Sequence, residues 1–463
     1  MRIGKRGFQG RIKGNLQIQF GEERLTSHAG LELLRRFLGG LGFFRELASS
    51  ERRLGIGGDF SFAKVVLTVL AMLVVGAKRA RHLEFLKDDP LVLRFAGLTR
   101  APTERSLARS LRRMTYRTWP ELERLSLLVV RNAPECLDLP RWTLDVDGSV
   151  LTTGLQVERA KRGFNPHHRK NPSYYPILAT LAQTGHVLGH LNRRGNVHDS
   201  HRSAEFLRET TDTVRQELGF LGLLEVRADS AFFQRDFLAT CERRQLEYAI
   251  KVPMWSWLNL RGIVRKQRAR DWQWVDRRND VQGLFATLPI PTWNRTERIA
   301  IYRKRVQHAP AKGRQLELFN PDDGNWEYSV VATNKTLGLR ALYHFQNGRS
   351  VQEKTISELK TGYAFASIPS GTYRANTAWQ KLNLLAHNLV TTFQLQTTAV
   401  ERPRSLKRTA SYLLRSIRTL RFEWLNRAAR LVRPGGAPVL RLAGNQATRE
   451  VVEAIDQALA NAA

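Results

Sequence analysis

Residues 141–151 read RWTLDVDGSVL, and the alternation inside them predicts a strand. Leu144 and Val146 fall on one face of that strand, Asp145 and Asp147 on the other. Two acids on one strand face are unusual in this chain, whose 74 Lys and Arg outnumber 42 Asp and Glu. Working outward, residues 174–185 (YYPILATLAQTG) and 186–195 (HVLGHLNRRG) are two more strand-like runs separated by turn residues. Residues 203–222 (SAEFLRETTDTVRQELGFLG) have helical character. They precede an apolar strand at 223–230 (LLEVRADS), a helix at 233–246 (FQRDFLATCERRQL) and a strand at 247–252 (EYAIKV).

Three strands, a helix, a strand, a helix and a strand make a mixed α/β sheet in the order of a ribonuclease H-like fold. The expected fold is an α/β core of that kind over 139–252 and 336–400, interrupted by a β-rich insertion over 253–335. The insertion holds six of the ten tryptophans, Trp255, Trp257, Trp272, Trp274, Trp293 and Trp326. Before the core, 25–138 reads as a helical DNA-binding domain, preceded by a basic Gly-rich arm at 1–24. After it, 401–463 reads as a basic, helical C-terminal region, with ten Lys or Arg against two Glu in 401–433.

A net charge of +32 over 463 residues points to a polyanionic partner, nucleic acid before an acidic membrane surface. The longest apolar run, Val65–Ala77, is 13 residues between Lys64 and Lys78. That is short of the roughly 20 that span a bilayer, so it reads as a buried helix. No secretory signal is expected, because the basic N-terminal residues lack an apolar segment. Two cysteines, Cys136 and Cys241, exclude a disulfide framework and a cysteine-rich zinc site. In the helical region, Thr103 is the expected N-cap of a helix on which Arg105, Arg109 and Arg112 share one face. Those arginines are candidate DNA contacts in a helix-turn-helix arrangement; a solvated basic face of a bundle helix is the competing reading.

Phosphodiester chemistry by two Mg²⁺ ions needs only a few carboxylates at the ends of the right elements. Asp147 lies near the end of the first strand, and Asp229 ends the strand 223–230. A third acid is expected from the helix GRSVQEKTISELKTGY (348–363). At 100° per residue, Arg349, Glu353 and Lys360 fall within an arc of roughly 40°, while Glu358 points elsewhere. Glu353 is therefore preferred, with Asp145 and Glu358 as fallbacks for the first and third positions. A surface salt bridge between Arg349 and Glu353 is the alternative use of that face.

These residues resemble the DDE transposases of bacterial insertion sequences, in the insertion-sequence 4 superfamily and its 1380 family. Asp147-Gly148-Ser149 resembles the context of the first acid, and Arg227, Asp229, Ser230 and Phe232 that of the second. Arg349, Glu353 and Lys360 match the spacing of a Tyr-x2-Arg-x3-Glu-x6-Lys signature, with Gln346 where the Tyr stands. The Gly195-Asn196 turn is similar to one common in the group. Asp147 and Asp229 are 82 residues apart, and Asp229 and Glu353 are 124 apart, room for the insertion. The resemblance implies a transposase that binds terminal inverted repeats and cuts and joins DNA at Asp147, Asp229 and Glu353. These would hold two Mg²⁺ ions, for which Mn²⁺ can substitute. Arg349 and Lys360 would contact DNA, and the enzyme would work as a homo-oligomer on terminal-repeat and target DNA in the bacterial cytoplasm, on the nucleoid. The alternatives are a transposase-derived DNA-binding protein without activity and a ribonuclease H-like nuclease without strand transfer.

His167-His168 and His198/His201 form weak metal candidates; the loop 161–170 (KRGFNPHHRK) reads better as a phosphate contact, with a solvated charge run as the competing reading. Among the six tryptophans of the insertion, one is expected to stack on an extruded base.

Overall fold

The computed structural model describes residues 17–18, 21, 23–133, 138–154, 156–163, 170–305, 326–401 and 412–462. Most of the basic arm, Cys136, His167-His168, the polar stretch of 308–325 and residues 402–411 of the basic C-terminal run lie outside the described residues.

A short strand β1 (Leu25–Thr26) leads into a layer of helices: α1 (Leu31–Gly40), α2 (Phe43–Leu54), α3 (Phe62–Val75), α4 (Pro90–Ala96), α5 (Glu104–Arg113) and α6 (Thr118–Arg131). The apolar run is α3, which is buried on nearly all sides. No described helix is long and apolar enough to cross a membrane. Two helix starts follow local chemistry. The Asp89 carboxylate accepts from the N–H groups of Leu91 and Val92, with Pro90 opening α4. The Thr103 hydroxyl accepts from Ser106 N–H at the start of α5. Leu107, Leu111 and Met114 bury one face of α5 and its C-cap.

The core sheet begins with β2 (Arg141–Gly148). A side hairpin follows, β3 (Leu151–Thr152) with β4 (Ser173–Tyr174), then β5 (Ile177–Leu181) and β6 (Val187–Leu191). Helix α7 (Ser203–Asp212) leads to β7 (Leu223–Ala228), and α8 (Arg235–Arg243) to β8 (Glu247–Lys251). β6 and β5 run antiparallel to one another and β5 to β2, whereas β7 and β8 are parallel to β2. The spatial order β6-β5-β2-β7-β8 is the ribonuclease H-like arrangement.

The segment after β8 does not leave this sheet. Following α9 (Leu260–Arg265), the strands β9 (Gln273–Asp276), β10 (Val281–Ile290), β11 (Arg295–Arg305) and β12 (Trp326–Thr333) form an antiparallel meander. It joins the core where β12 pairs with β8, Ala332 opposite Ile250. The result is one nine-stranded sheet. The chain returns through α10 (Leu339–Asn347), α11 (Ser350–Thr361) and the 25-residue α12 (Tyr373–Thr397).

The C-terminal region is not all helical, as the sequence reading expected. β13 (Val400–Glu401) pairs with β14 (Tyr412–Leu413), and α13 (Ile417–Leu420) follows. β15 (Ala429–Val432) and β16 (Val439–Leu442) then fold into a hairpin around Pro434-Gly435-Gly436, and β1 adds a third strand. Both strands are four residues long, too short for their period to stand out in a basic sequence. Helix is confined to α13 with the turn that continues it to Leu425, and to α14 (Gln446–Ala462) at the end, among the described residues.

Helix α12 is almost wholly buried yet rich in Asn, Gln, His and Thr. The cause is the edge strand β6, whose outer side it covers. The Asn388 side-chain oxygen accepts from Val187 N–H at 2.8 Å, and its amide donates to Val187 O at 2.8 Å and to Ser126 Oγ at 2.9 Å. His387 Nε2 lies 2.9 Å from Gly185 O, and Asn192 donates to Thr377 Oγ1 at 2.9 Å. His186 meets Thr392 Oγ1 at 2.9 Å; burial pushes its pKa down to about 3, so the ring stays neutral. Polar side chains here replace the missing neighbouring strand. Asn388→Leu should orphan the Val187 N–H and C=O together and cost roughly 2–4 kcal/mol. Urea unfolding followed by tryptophan fluorescence would show this as a lowered midpoint, and an unchanged midpoint would contradict it.

Candidate active site

β2 and β7 run parallel with Val146 opposite Ala228. One step further along each chain brings Asp147 and Asp229 side by side at the carboxyl ends of adjacent strands, where strand spacing is about 4.8 Å. Asp147 accepts from Gly148 N–H at 2.9 Å, and Asp229 from Ala231 N–H at 3.0 Å. Burial pushes the Asp147 carboxyl up to about 7; the Arg349 guanidinium opposes this, and the charges of Asp229 and Asp199 add to it.

Asp199 was not singled out by the sequence reading. It enters from the turn after β6 and accepts from Tyr175 Oη–H at 2.8 Å. Arg193 holds this turn together: its guanidinium donates to the carbonyls of Tyr175, His198, Asp199 and His201 and to the Asp199 carboxylate, at 2.9–3.3 Å. Burial raises the Asp199 pKa as well. The pair presses on the backbone beside Asp147. A Cβ at Gly148 would lie 2.5 Å from Asp199 Oδ1 and 2.7 Å from Tyr175 Oη, so only glycine fits there. The Gly195-Asn196 turn was the available signal, but it pointed to a loop and not to its acid.

Arg349, at the N-terminus of α11, places its guanidinium 3.0 Å from Asp147 Oδ2. Burial lowers the Lys360 pKa, and the Asp147 charge opposes that shift. Glu353 belongs to the same stripe by helical geometry and is exposed. Among the described residues, no group of three or more His, Cys, Asp or Glu side chains is close enough to hold a metal ion. The structure thus brings Asp147, Asp229 and Arg349 together, without drawing the Glu353 carboxylate onto the pair. Arg349 spends its charge on Asp147 and not on an i, i+4 bridge to Glu353.

The fallback acids are otherwise engaged. Asp145 is fully buried in a bidentate pair with Arg227, at 2.6 and 2.7 Å. Glu358 accepts from Ile417 N–H at 2.6 Å. Gln346, in the place of the signature's Tyr, is buried, and its amide donates to Ala228 O at 3.2 Å, the residue before Asp229. It ties α10 to the end of β7. Arg105, Arg109 and Arg112 are exposed on α5, in the helical layer and not at the strand ends. His198 and His201 are exposed, and His198 bonds to Ser200 Oγ at 2.9 Å. Of the tryptophans, Trp272 is buried and Trp257 is 49% exposed. Trp257 stacks on Trp255 and meets Trp293, which packs on Phe233, four residues past Asp229.

Two facing carboxylates, one with a raised pKa, fit a divalent cation by donor chemistry, since a hard cation takes oxygen ligands and offsets their repulsion. Metal-free protein should show the strain. The folded Asp147 carboxyl keeps its proton to about pH 7, the unfolded one only to its ordinary 3.8. A carboxyl with a raised pKa contributes stability at low pH that is lost as pH rises through that window, here about 4 to 7. Asp147→Asn should remove this loss, so its melting temperature should gain on the wild type between about pH 5 and pH 8. A constant difference across that range would count against it.

A family model described as Transposase DDE domain group 1 matches residues 9–463. Among solved structures, a cryo-EM structure of a piggyBac transposase synaptic complex with hairpin DNA aligns over 92% of this chain and 84% of its own. The identity is 11% and the TM-score 0.43, too low a likeness to carry an argument. No curated protein matches the chain. The family match runs through both strand-end aspartates and α11 and covers nearly the whole sequence: the chain belongs to the DDE transposases.

Proposed function

We propose that this protein is the transposase of a bacterial insertion sequence, of the insertion-sequence 4 superfamily and its 1380 family. It binds the element's terminal inverted repeats and catalyses cleavage and strand transfer on the nucleoid as a homo-oligomer. The observation that carries the reading is the placement of Asp147 beside Asp229 with Arg349 of α11 paired to Asp147. Asp147, Asp229 and Glu353 would hold two Mg²⁺ ions, or Mn²⁺ in their stead. When bound, such ions activate the attacking oxygen and stabilise the leaving one.

The protein's own groups do the rest. Arg349 fixes the Asp147 carboxylate from one side, and Gly148 N–H fixes it from the other. Glu353, exposed on the stripe it shares with Arg349, would supply the third carboxylate. Lys360 and a released Arg349 offer cations to the phosphates that flank the cut. In the first step water adds to phosphorus and the 3′-oxygen leaves with a proton. In the second, that 3′-hydroxyl gives up its proton and bonds to a phosphorus of the opposite strand or of the target, whose own 3′-oxygen leaves and takes up a proton. Trp257 offers an exposed aromatic face for an extruded base. The exposed Arg105, Arg109 and Arg112 of α5 suit repeat recognition from the helical layer.

Glu353→Gln should nearly abolish Mg²⁺-dependent nicking of terminal-repeat DNA while leaving its binding intact. Arg349→Ala and Lys360→Ala should weaken engagement of the cut end and lower activity partially. Near-wild-type nicking by Glu353→Gln would remove it from the site. Binding should also be steeply salt-dependent. With 6–10 phosphate contacts, affinity should fall on the order of 10³–10⁵ between about 50 and 200 mM salt. A shallow slope in fluorescence anisotropy would detach the +32 charge from DNA binding.

A further inference from the structure

Beside the proposed active site lies a second concave surface, an open cavity of about 590 Å³ lined by Gln156, Lys161, Arg162, Lys170, Asn171 and Asn196, among others. We propose that it is a cradle for a DNA strand that continues from the scissile phosphate, gripping phosphates through its cations and base edges through its carboxamides. The inference deepens the transposase reading and rests on it.

Three features argue for the cradle. First, its charge is unbalanced. No carboxylate lines it, and Lys161, Arg162 and Lys170 are exposed without an acidic partner among the described residues. Elsewhere many arginines of this chain are paired to acids, so three uncompensated cations in one concavity suit a polyanion. Second, its neutral groups are of one kind. Gln156, Asn171 and Asn196 each present an amide donor and a carbonyl acceptor, the pairing that reads base edges. Third, it is built rigidly and joined to the acids. Lys161 and Ser173 exchange backbone bonds at 3.0 and 3.1 Å. The segments interlock so closely that a Cβ at Gly163 would lie 2.0 Å from Gly195 O, and one at Gly195 2.2 Å from Ser173 Oγ. The turn that supplies Asn196 delivers Asp199 against Gly148 three residues later.

The strand could be DNA flanking the element or the target duplex, and two probes tell them apart. One is a terminal-repeat duplex carrying about ten flanking base pairs, compared with the same duplex ending at the cut; the other is an unrelated duplex as target. Binding of the full chain is measured in EDTA, so that no bond is cut. The combined Lys161→Ala, Arg162→Ala, Lys170→Ala variant should bind one of these probes about tenfold or more weakly near 0.1 M salt, with a salt slope shallower by roughly two to three. Whichever probe loses affinity identifies the strand. The combined Lys161→Arg, Lys170→Arg variant should bind as wild type. Asn196→Ala should leave the slope unchanged and flatten the preference among base changes in that strand by about fivefold or more. If the alanine variant binds both probes as wild type does, with the same slope, the cradle is wrong, and nicking by the wild-type chain in Mg²⁺ would still stand for the transposase reading. If the wild-type chain neither binds nor nicks any of these duplexes, both readings fall together.

Discussion

One buried ion pair positions everything that matters at the strand ends. Arg227 on β7 and Asp145 on β2 face each other across the parallel ladder, fully buried and bidentate. The same guanidinium donates to Phe345 O at 2.6 Å and lies over the Phe345 ring. A single cation therefore joins the first acid's strand, the second acid's strand and the helix that leads into α11. Removing one partner of such a pair leaves a buried charge alone, at a cost of about 3–5 kcal/mol. Asp147 and Asp229 are each two residues further along these strands, and Arg349 is four residues past Phe345. Gln352, which donates to Asp145 O at 2.8 Å, adds a second tie from α11 to the same point.

The two ends of the sheet handle charge in opposite ways. At the amino ends of the parallel strands, Glu225 and Glu247 are met by Lys335 and Arg141 in a network with two acids and two bases. At the carboxyl ends, Asp147, Asp229 and Asp199 influence one another with Arg349 as the ion-pair partner of the first and Arg193 of the last. The balanced end closes the fold where the chain re-enters the core at Lys335. At the other end like charges gather, and burial raises the pKa of both Asp147 and Asp199. Folds satisfy their local rules nearly everywhere and relax them where chemistry is done.

Much of this was legible in the sequence because it depends on local regularities. Alternation marked β2, β5, β6, β7 and β8, and the same alternation put Asp145 and Asp147 on one face. Helical spacing put Arg349 and Lys360 on one stripe, and capping chemistry marked Thr103. What was not legible depends on partners distant in the chain. Asp199 matters because Gly148 and Tyr175 stand beside it, and Glu358 is claimed by Ile417, 59 residues later. Gln346 reads as a departure from a motif until its amide is seen on Ala228 O. The β15–β16 hairpin and the union of β12 with β8 are pairings that no period in either strand foretells.

That union sets where the molecule can bend. A sheet hydrogen-bonded without a break from β6 to β9 behaves as one plate, so the tryptophan ledge around Trp257 keeps its distance from Asp229 under load. Besides its packing, helix α11 is tied by Arg349 to Asp147, by Gln352 to Asp145 O and by Glu358 to Ile417, the first residue of α13. Of these, the ion pair to Asp147 is the tie that a competing counter-charge would release. The end of α11 at Arg349 is thus held by charge, whereas the sheet beneath it is held by backbone hydrogen bonds.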